Sequence, residues 1–303
     1  MQSLLDSVLF PPLQAVCGPL DATVGLYVVD SLAAFADRFQ VALTSACLFI
    51  VTFHILKWFV SPAVFGATYA KLTPVDKFRW NEKLISVIHA SIATVGAAAS
   101  AWHTFSSLPD SLNSMTNYEL ILGVNNTPLH RDFFIQTSIG YFLSDLFLYT
   151  LPPIHHSAFE FFHHIVAGGS YTLGVYYQWG TWIQINFLLN EVSTPFLQLT
   201  WFFRYTGLRH SPVDKTNRKV FALLFFISRV VWNSIFCWHV IQALVYVTID
   251  PWVTPRLFWV QVVLIISHCS LQYFWFYRIM AIALGASSAP GEPVAPASHA
   301  KSQ

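Results

Sequence analysis

Two adjacent histidines, His163 and His164, stand at the start of an apolar segment, one helical turn after Glu160. An imidazole titrates near neutral pH, so it can accept a proton, and it can also carry an acyl group as a covalent intermediate. Neighbouring side chains on a helix point about 100° apart, so one ring can face a cavity while the other is anchored. The pair therefore suits acid–base or nucleophilic chemistry.

Three other interpretations of the histidine pair stay open. Glu160 and His163 form an E-x-x-H element with His155 and His156 upstream, but a di-iron bundle needs a second such element and two further glutamates. Histidines at a membrane interface also extend toward the lipid headgroups. The pair could, finally, bind an anionic headgroup without chemistry. We expect no metal.

The elements that position the pair are predicted to be membrane-spanning helices. The 303 residues are 55% hydrophobic and 10% charged, whereas a soluble domain carries about 25% charged residues. A helix crosses a bilayer with about 20 apolar residues. Six runs satisfy this length, and a seventh, Ile165–Tyr177, does so if it starts near Phe159; the six are Val41–Val60, Leu84–Trp102, Phe133–Leu151, Ile183–Phe203, Val220–Val247 and Leu257–Leu284. This pattern predicts an all-α integral membrane protein with about seven transmembrane helices.

Basic residues are concentrated in two connections, the first and the one after the fifth predicted helix. These connections carry Lys57, Lys71, Lys77, Arg79, Lys83, Arg204, Arg209, Lys215, Arg218 and Lys219. Positive residues favour the cytosolic face, so we expect a cytosolic C-terminus and an N-terminus across the membrane. Asn125 begins an N-glycosylation sequon on the non-cytosolic side. The Pro152–His164 connection, with the histidine pair, would face the cytosol.

Several polar side chains fall inside the apolar runs, where each is costly to place. Asp145 is the clearest, because no basic residue lies within one turn of it. The others are His89, Glu191, Arg229, His239 and His268. Each alone is typical of a structural hydrogen bond, but together they predict a polar interior enclosed by the helices.

The chain divides into four predicted regions. Residues 1–40 form a non-cytosolic segment with the spacing of an interfacial helix, and residues 41–79 hold the first transmembrane helix and a basic cytosolic loop. Residues 80–284 form the main membrane domain, and residues 285–303 form a disordered cytosolic tail. The four cysteines are scattered and are predicted to be small buried hydrophobes.

Four stretches carry a family resemblance: RWNEKLISVIHA, GYFLSDL, FEFFHHIVA and LLNEVSTPFLQLTWFFR. In this order and spacing they resemble the TLC domain, named for the TRAM, Lag and CLN proteins, from about Trp80 to Arg278. The chain is more similar to the small TMEM-type members than to the ceramide synthases. The resemblance implies the endoplasmic reticulum or a related membrane, and a ring of six helices, the second to the seventh, around a lipid-sized cavity.

Ceramide synthases of this superfamily transfer a fatty acyl group from acyl-CoA to a sphingoid base, with a histidine pair at the positions of His163 and His164. The resemblance implies that these two are catalytic, with Asp145 or Glu191 orienting one of them. We assign substrate contacts to His89, Glu160, Ser193, Trp80 and Arg229. The family's H-D-x-S-D element reads Asn190-Glu191-Val192-Ser193-Thr194 here, and Ala167 replaces a threonine. These departures argue against ceramide synthesis itself.

Three functions from different classes therefore compete. The favoured one is acyl transfer from acyl-CoA to an amine or hydroxyl lipid; the others are non-catalytic lipid binding that adjusts membrane composition or fluidity, and a cargo receptor. The sequence leaves open whether the chain is an enzyme. It predicts no tightly bound cofactor, and acyl-CoA would be a substrate only. The predicted partner is membrane lipid and not nucleic acid, and a homodimer is compatible with the sequence. Of the pair, His163 is expected to be the more solvated and His164 the more buried.

Overall fold

The computed structural model describes residues 36–107, 129–151, 158–177, 180–238 and 255–284, and within these ranges it contains helices and no strand. Within the described ranges, α1 (Gln40–Ile55) continues through a π-helical turn (Leu56–Val60) into α2 (Ser61–Ala70). Three helices follow, α3 (Pro74–Ser107), α4 (Leu129–Leu148) and α5 (Ala158–Tyr177). The last elements are α6 (Thr181–Phe187), a 3-10 helix (Leu188–Ser193), α7 (Thr194–Tyr205), α8 (Pro212–Phe225) with a π-helical turn (Phe226–Trp232), and α9 (Pro255–Ala283).

Three helical stretches of the described ranges are long and apolar enough to cross a membrane: Gln40–Ala70, Pro74–Ser100 and Pro212–Trp238. The all-helical, membrane-spanning class is therefore confirmed. The count of seven spans and the six-helix ring stay predictions. Large apolar side chains such as Trp58, Phe59 and Val95 are exposed on the outer surface, as a protein surrounded by lipid requires.

Two predicted elements differ from the structure. The fifth predicted helix, Ile183–Phe203, is not continuous, because the 3-10 segment separates α6 from α7. The histidine pair does not lie in a connection, because α5 begins at Ala158 and includes both residues. Polar side chains in the 3-10 segment explain the first difference, since they bond to other helices, as described below.

Close packing of α1 on α4 depends on a glycine. A Cβ added at Gly140 would lie 2.5 Å from the carbonyl oxygen of Ala42 and 2.6 Å from the Cβ of Ser45. The amide of Ala42 also donates a hydrogen bond to Gln136 Oε1, at 3.3 Å. Small residues that let backbones approach are the common way for helices to associate in a membrane.

An aromatic cluster joins α2, α3 and α7 around Trp80, which is fully buried. The Trp80 ring lies 4.8 Å from Phe65, 4.7 Å from Phe202 and 6.0 Å from Trp201, measured between ring centroids. These contacts hold α3 against α2 and α7, and the predicted substrate contact of Trp80 stays a prediction.

Two of the four cysteines, which are far apart along the chain, lie next to each other in the structure. The sulfur atoms of Cys237, which follows α8, and of Cys269 in α9 lie 3.0 Å apart as free thiols. Helix packing brings together residues that are distant along the chain.

Candidate functional site

The centre of the site is a pair formed by Asp145 of α4 and His164 of α5. Their atoms Oδ2 and Nδ1 lie 2.9 Å apart, and both residues are buried, with exposed fractions of 2% and 8%. A carboxylate in an apolar region is costly unless it is paired, so this contact supplies the partner that Asp145 lacks in its own helix. The two atoms are at ion-pair distance. In the tautomer that carries its proton on Nδ1, Nε2 of His164 keeps its lone pair for a substrate.

Aromatic side chains of α4, and of Tyr149 directly after it, surround the His164 ring. Tyr149 stacks on it at 5.7 Å with an angle of 11° between the planes, and Phe142 and Tyr141 lie at 5.3 Å and 5.8 Å. Tyr141, Phe142 and Asp145 share one face of α4, and the backbone N–H of Tyr149 donates to the carbonyl of Asp145 at 2.9 Å, so Tyr149 continues this face. The ring of His164 is therefore held in one orientation.

The ring of His163 points toward α9. It lies 5.6 Å from His268 and 5.3 Å from Trp275, both on α9. The two rings thus diverge, as their spacing on a helix predicts. The expected difference in solvation is wrong, since the exposed fraction of His163 is 9% and that of His164 is 8%. Packing of α5 between α4 and α9 covers both.

His268 connects the pair to the 3-10 segment. Its Nε2 lies 3.3 Å from Asn190 Nδ2 and 3.4 Å from Gln272 Nε2. Asn190 stands in the 3-10 helix, and Gln272 is one turn after His268 on α9. The polar interior predicted from the sequence is therefore present between α5, the 3-10 helix and α9.

Arg229, in the π-helical turn of α8, is buried and donates hydrogen bonds to four protein groups. Its nitrogens bond to Asn190 O and Gln272 Oε1 at 3.0 Å, Ser193 Oγ at 3.1 Å and Thr194 Oγ1 at 3.0 Å. These contacts fasten the 3-10 segment to α8 and α9. Arg229 and Ser193 thus make structural contacts, and their predicted substrate contacts stay predictions.

Glu191 belongs to the same polar group. Its Oε1 lies 3.7 Å from Arg229 Nη2, and its Oε2 accepts a hydrogen bond of 2.8 Å from Thr194 Oγ1. The sequence left Asp145 and Glu191 as alternatives for orienting a histidine of the pair. Of the two, Asp145 contacts a histidine of the pair, whereas Glu191 lies beside Arg229.

His89 of α3 lies next to the site, in contact with Tyr141. It stacks on Tyr141 at 3.9 Å with 8° between the planes, and its Nε2 lies 3.1 Å from Ser138 Oγ. Tyr141 thus separates His89 from His164. Another residue on α3, Glu82, interacts electrostatically with Asp145 and His164 and was missed in the sequence. The sequence does contain an indication that Glu82 faces the site, because Glu82 and His89 are seven residues apart and share a helix face.

The helices that carry the site lie in the part of the chain that matches a known protein family. Residues 79–281 match the model of the TLC domain family. The chain belongs to this family. The resemblance drawn from the four sequence stretches is therefore confirmed.

Relatives of this TLC domain protein are widely distributed. It is 25% identical over 228 residues to an uncharacterised TLC domain-containing protein of Schizosaccharomyces pombe, covering 72% of the chain and 73% of the relative. It is 26% identical over 251 residues to TLC domain-containing protein 4-A of Xenopus laevis, covering 75% and 85%. It is 22% identical over 163 residues to TLC domain-containing protein 1 of Rattus norvegicus, covering 54% and 61%.

The remaining predicted residues lie at the edge of the site or beyond it. Glu160 is exposed in the first turn of α5, where a carboxylate interacts favourably with the helix dipole. Asn125, His155, His156 and His239 lie outside the described residues, so the glycosylation and metal hypotheses that involve them stay predictions. The site of the TLC domain thus consists of the Asp145–His164 pair, His163 and the polar groups that bond to His268.

Proposed function

We propose that this TLC domain protein transfers an acyl group from acyl-CoA to an amine or hydroxyl of a membrane lipid, with His164 as the reacting group. The observation that supports this is the buried contact between Asp145 and His164. A carboxylate that holds Nδ1–H of an imidazole orients the ring and stabilises the imidazolium that forms during acyl transfer. Membership of a family linked to lipid metabolism agrees with the substrate class.

The reaction would proceed in two steps at Nε2 of His164. In the first, Nε2 attacks the thioester carbonyl, the C–S bond breaks and the CoA thiolate leaves, so that the acyl group is bonded to nitrogen. In the second, the amine or hydroxyl of the lipid attacks this carbonyl, the N–C bond breaks, and the proton of the nucleophile passes through the imidazole to the thiolate. If His164 acts instead as a general base, the same nitrogen takes the proton while the lipid attacks acyl-CoA directly.

His163 would contribute a second polar contact with the substrate. Its Nδ1 is buried and makes no hydrogen bond to the described residues. A buried polar atom without a hydrogen-bond partner needs an explanation, and here a substrate oxygen would be that partner. The His163 ring lies 5.6 Å from that of His164 between centroids, so it would donate to the thioester carbonyl that Nε2 of His164 attacks.

We place the protein in the endoplasmic reticulum or a related membrane, with the histidine pair near the cytosolic face. The basic connections support this orientation, and acyl-CoA would approach from the cytosol. No tightly bound cofactor is needed, because the thioester supplies the activated acyl group.

Lipid binding without transfer is the second candidate, and one observation favours it. An apolar groove of about 490 Å³ lies between α1, α3 and α4, lined by residues such as Leu48, Ile92 and Phe133. This groove does not include the histidine pair, so it could retain a lipid without chemistry.

The test is acyl transfer by the purified full-length protein in lipid nanodiscs, with labelled acyl-CoA and an amine lipid or lysolipid. Intact mass spectrometry would detect an acylated histidine. General acid–base groups contribute about 10²–10⁴-fold to rates, so His164→Ala should lower turnover by at least about 100-fold. His54→Ala, an exposed histidine on α1, is the matched control and should retain activity.

Two outcomes distinguish the candidates. Turnover or an adduct that disappears in His164→Ala supports transfer. Wild-type protein that shows neither turnover nor an adduct, yet retains lipid through purification, would replace transfer by lipid binding.

A further inference from the structure

An apolar groove runs along the outer surface between α4 and α5, and His164 lines it. Its volume is about 360 Å³, within the range of small-molecule sites. The walls come from Phe142, Leu143 and Leu146 of α4 and from Ile165, Gly169 and Leu173 of α5. Leu143 and Ile165 are 44% and 47% exposed, so the rim faces the lipid phase.

Two adjacent glycines give the groove its shape. A Cβ added at Gly168 would lie 3.2 Å from Cβ of Phe142, so this glycine allows α4 and α5 to approach each other. A Cβ added at Gly169 would meet no atom within 4 Å, so this glycine leaves the space of the groove empty. A larger side chain at residue 169 could therefore fill the groove without displacing the packing of the two helices.

The groove begins at the reacting group. From His164 to Leu173 it follows nine residues of α5, which corresponds to about 14 Å along the helix axis. Gly169 lies about 7.5 Å from His164 on the same axis. A hydrocarbon chain bonded to a carbonyl at His164 must extend away from that residue, and this groove is an apolar path that starts there and is open to lipid.

We propose that the groove between α4 and α5 binds the hydrocarbon chain of the transferred acyl group, and that Gly169 determines how long a chain fits. This rests on the proposed function, because it assigns the acyl chain to the site where His164 would react. The chain would enter sideways from the bilayer and lie on the outer surface of the helices. That location differs from the enclosed cavity inside a six-helix ring that the family resemblance implies.

Several features of the groove select a hydrocarbon chain over a headgroup. Apart from His164, its lining offers carbon atoms and the hydroxyl of Thr172, and no charged side chain. The hydroxyl of Thr172 is already occupied, since it donates a hydrogen bond of 2.7 Å to the carbonyl of Gly168. Burying apolar surface is favourable in proportion to its area, so each methylene of a hydrocarbon chain that enters the groove adds binding free energy.

The first experiment measures transfer by full-length Gly169→Leu with acyl-CoA donors of increasing chain length. Leucine at 169 would close the groove near its midpoint, so short donors should react within about twofold of wild type. Longer donors lose two or more buried methylenes and should react at least about tenfold more slowly. Ala63→Leu, which enlarges an exposed side chain of α2 outside both grooves, is the control and should leave the chain-length profile unchanged.

The second experiment needs no substitution and no turnover. Wild-type protein in nanodiscs is exposed to an acyl-CoA whose chain carries a diazirine, and the crosslinked peptides are identified. Crosslinks to residues 139–146 or 165–173 support the groove. They should decrease when unlabelled long-chain acyl-CoA competes.

The two experiments separate this proposal from the proposed function. Transfer that proceeds with an unchanged chain-length profile in a folded Gly169→Leu protein, or crosslinks confined to other helices, would overturn the groove and leave acyl transfer standing. Crosslinks in the groove without any turnover would support the groove and contradict acyl transfer. Should Gly169→Leu fail to fold, the crosslinking of wild-type protein decides the question.

Discussion

Replacing Asp145 by asparagine tests whether this carboxylate acts through His164. The change preserves shape and removes one charge from the 2.9 Å contact with Nδ1. A hydrogen bond to a charged group contributes about 1.5–3 kcal/mol and one between neutral groups about 0.5–1.5 kcal/mol. Losing the difference between the two, about 1.2 kcal/mol of stabilisation of the imidazolium, would slow transfer about eightfold.

Stability should respond differently. An imidazole that loses its carboxylate partner can release its proton and stay neutral, so Asp145→Asn leaves no unpaired buried charge. Glu191→Gln is the matched control, because it removes the carboxylate beside Arg229, whose guanidinium cannot be deprotonated. Breaking such a buried pair costs about 3–5 kcal/mol, so we expect Glu191→Gln to lower the thermal midpoint markedly and Asp145→Asn to change it little.

The assay combines turnover of labelled acyl-CoA, thermal unfolding of the purified protein and a double-mutant cycle with His164→Ala. If Asp145 acts by orienting His164, Asp145→Asn should have no further effect once the imidazole is absent. A folded Asp145→Asn protein with wild-type turnover would refute the orienting role. A loss confined to folding and abundance would show that the pair is structural.

Three further predictions concern the pair, the packing and the topology. His164→Ala should remove acyl transfer and any acyl adduct seen by intact mass, while His163→Ala should only weaken transfer; equal losses would contradict the hierarchy. Gly140→Ala should destabilise the protein by about 1–3 kcal/mol in thermal unfolding, because its Cβ would press on the backbone of α1, whereas Gly169→Ala should not; unchanged stability of the first would refute the close packing. A protease site inserted beside Asn125 should be protected in sealed microsomes, and cleavage from the cytosolic side would reverse the orientation.

The sequence by itself determines the class of the protein. Low charge and long apolar runs indicate a membrane, since a soluble domain carries about 25% charged residues and a membrane-spanning helix needs about 20 apolar ones. Helical spacing also predicts that His163 and His164 diverge, and order and spacing of four short stretches identify the TLC domain. These properties depend on residues that are close along the chain, which periodicity reports directly.

Only the tertiary structure decides which polar groups meet. Asp145 could have paired with any helix, and Glu191 was an equal candidate for orienting a histidine until its contact with Arg229 was seen. The bonds from Arg229 to the 3-10 segment likewise interrupt a helix that apolar composition predicts to be continuous. Contacts of this kind depend on how each helix is rotated about its axis and how the helices cross. Side chains that are distant along the chain determine this geometry together, so no local sequence pattern contains it.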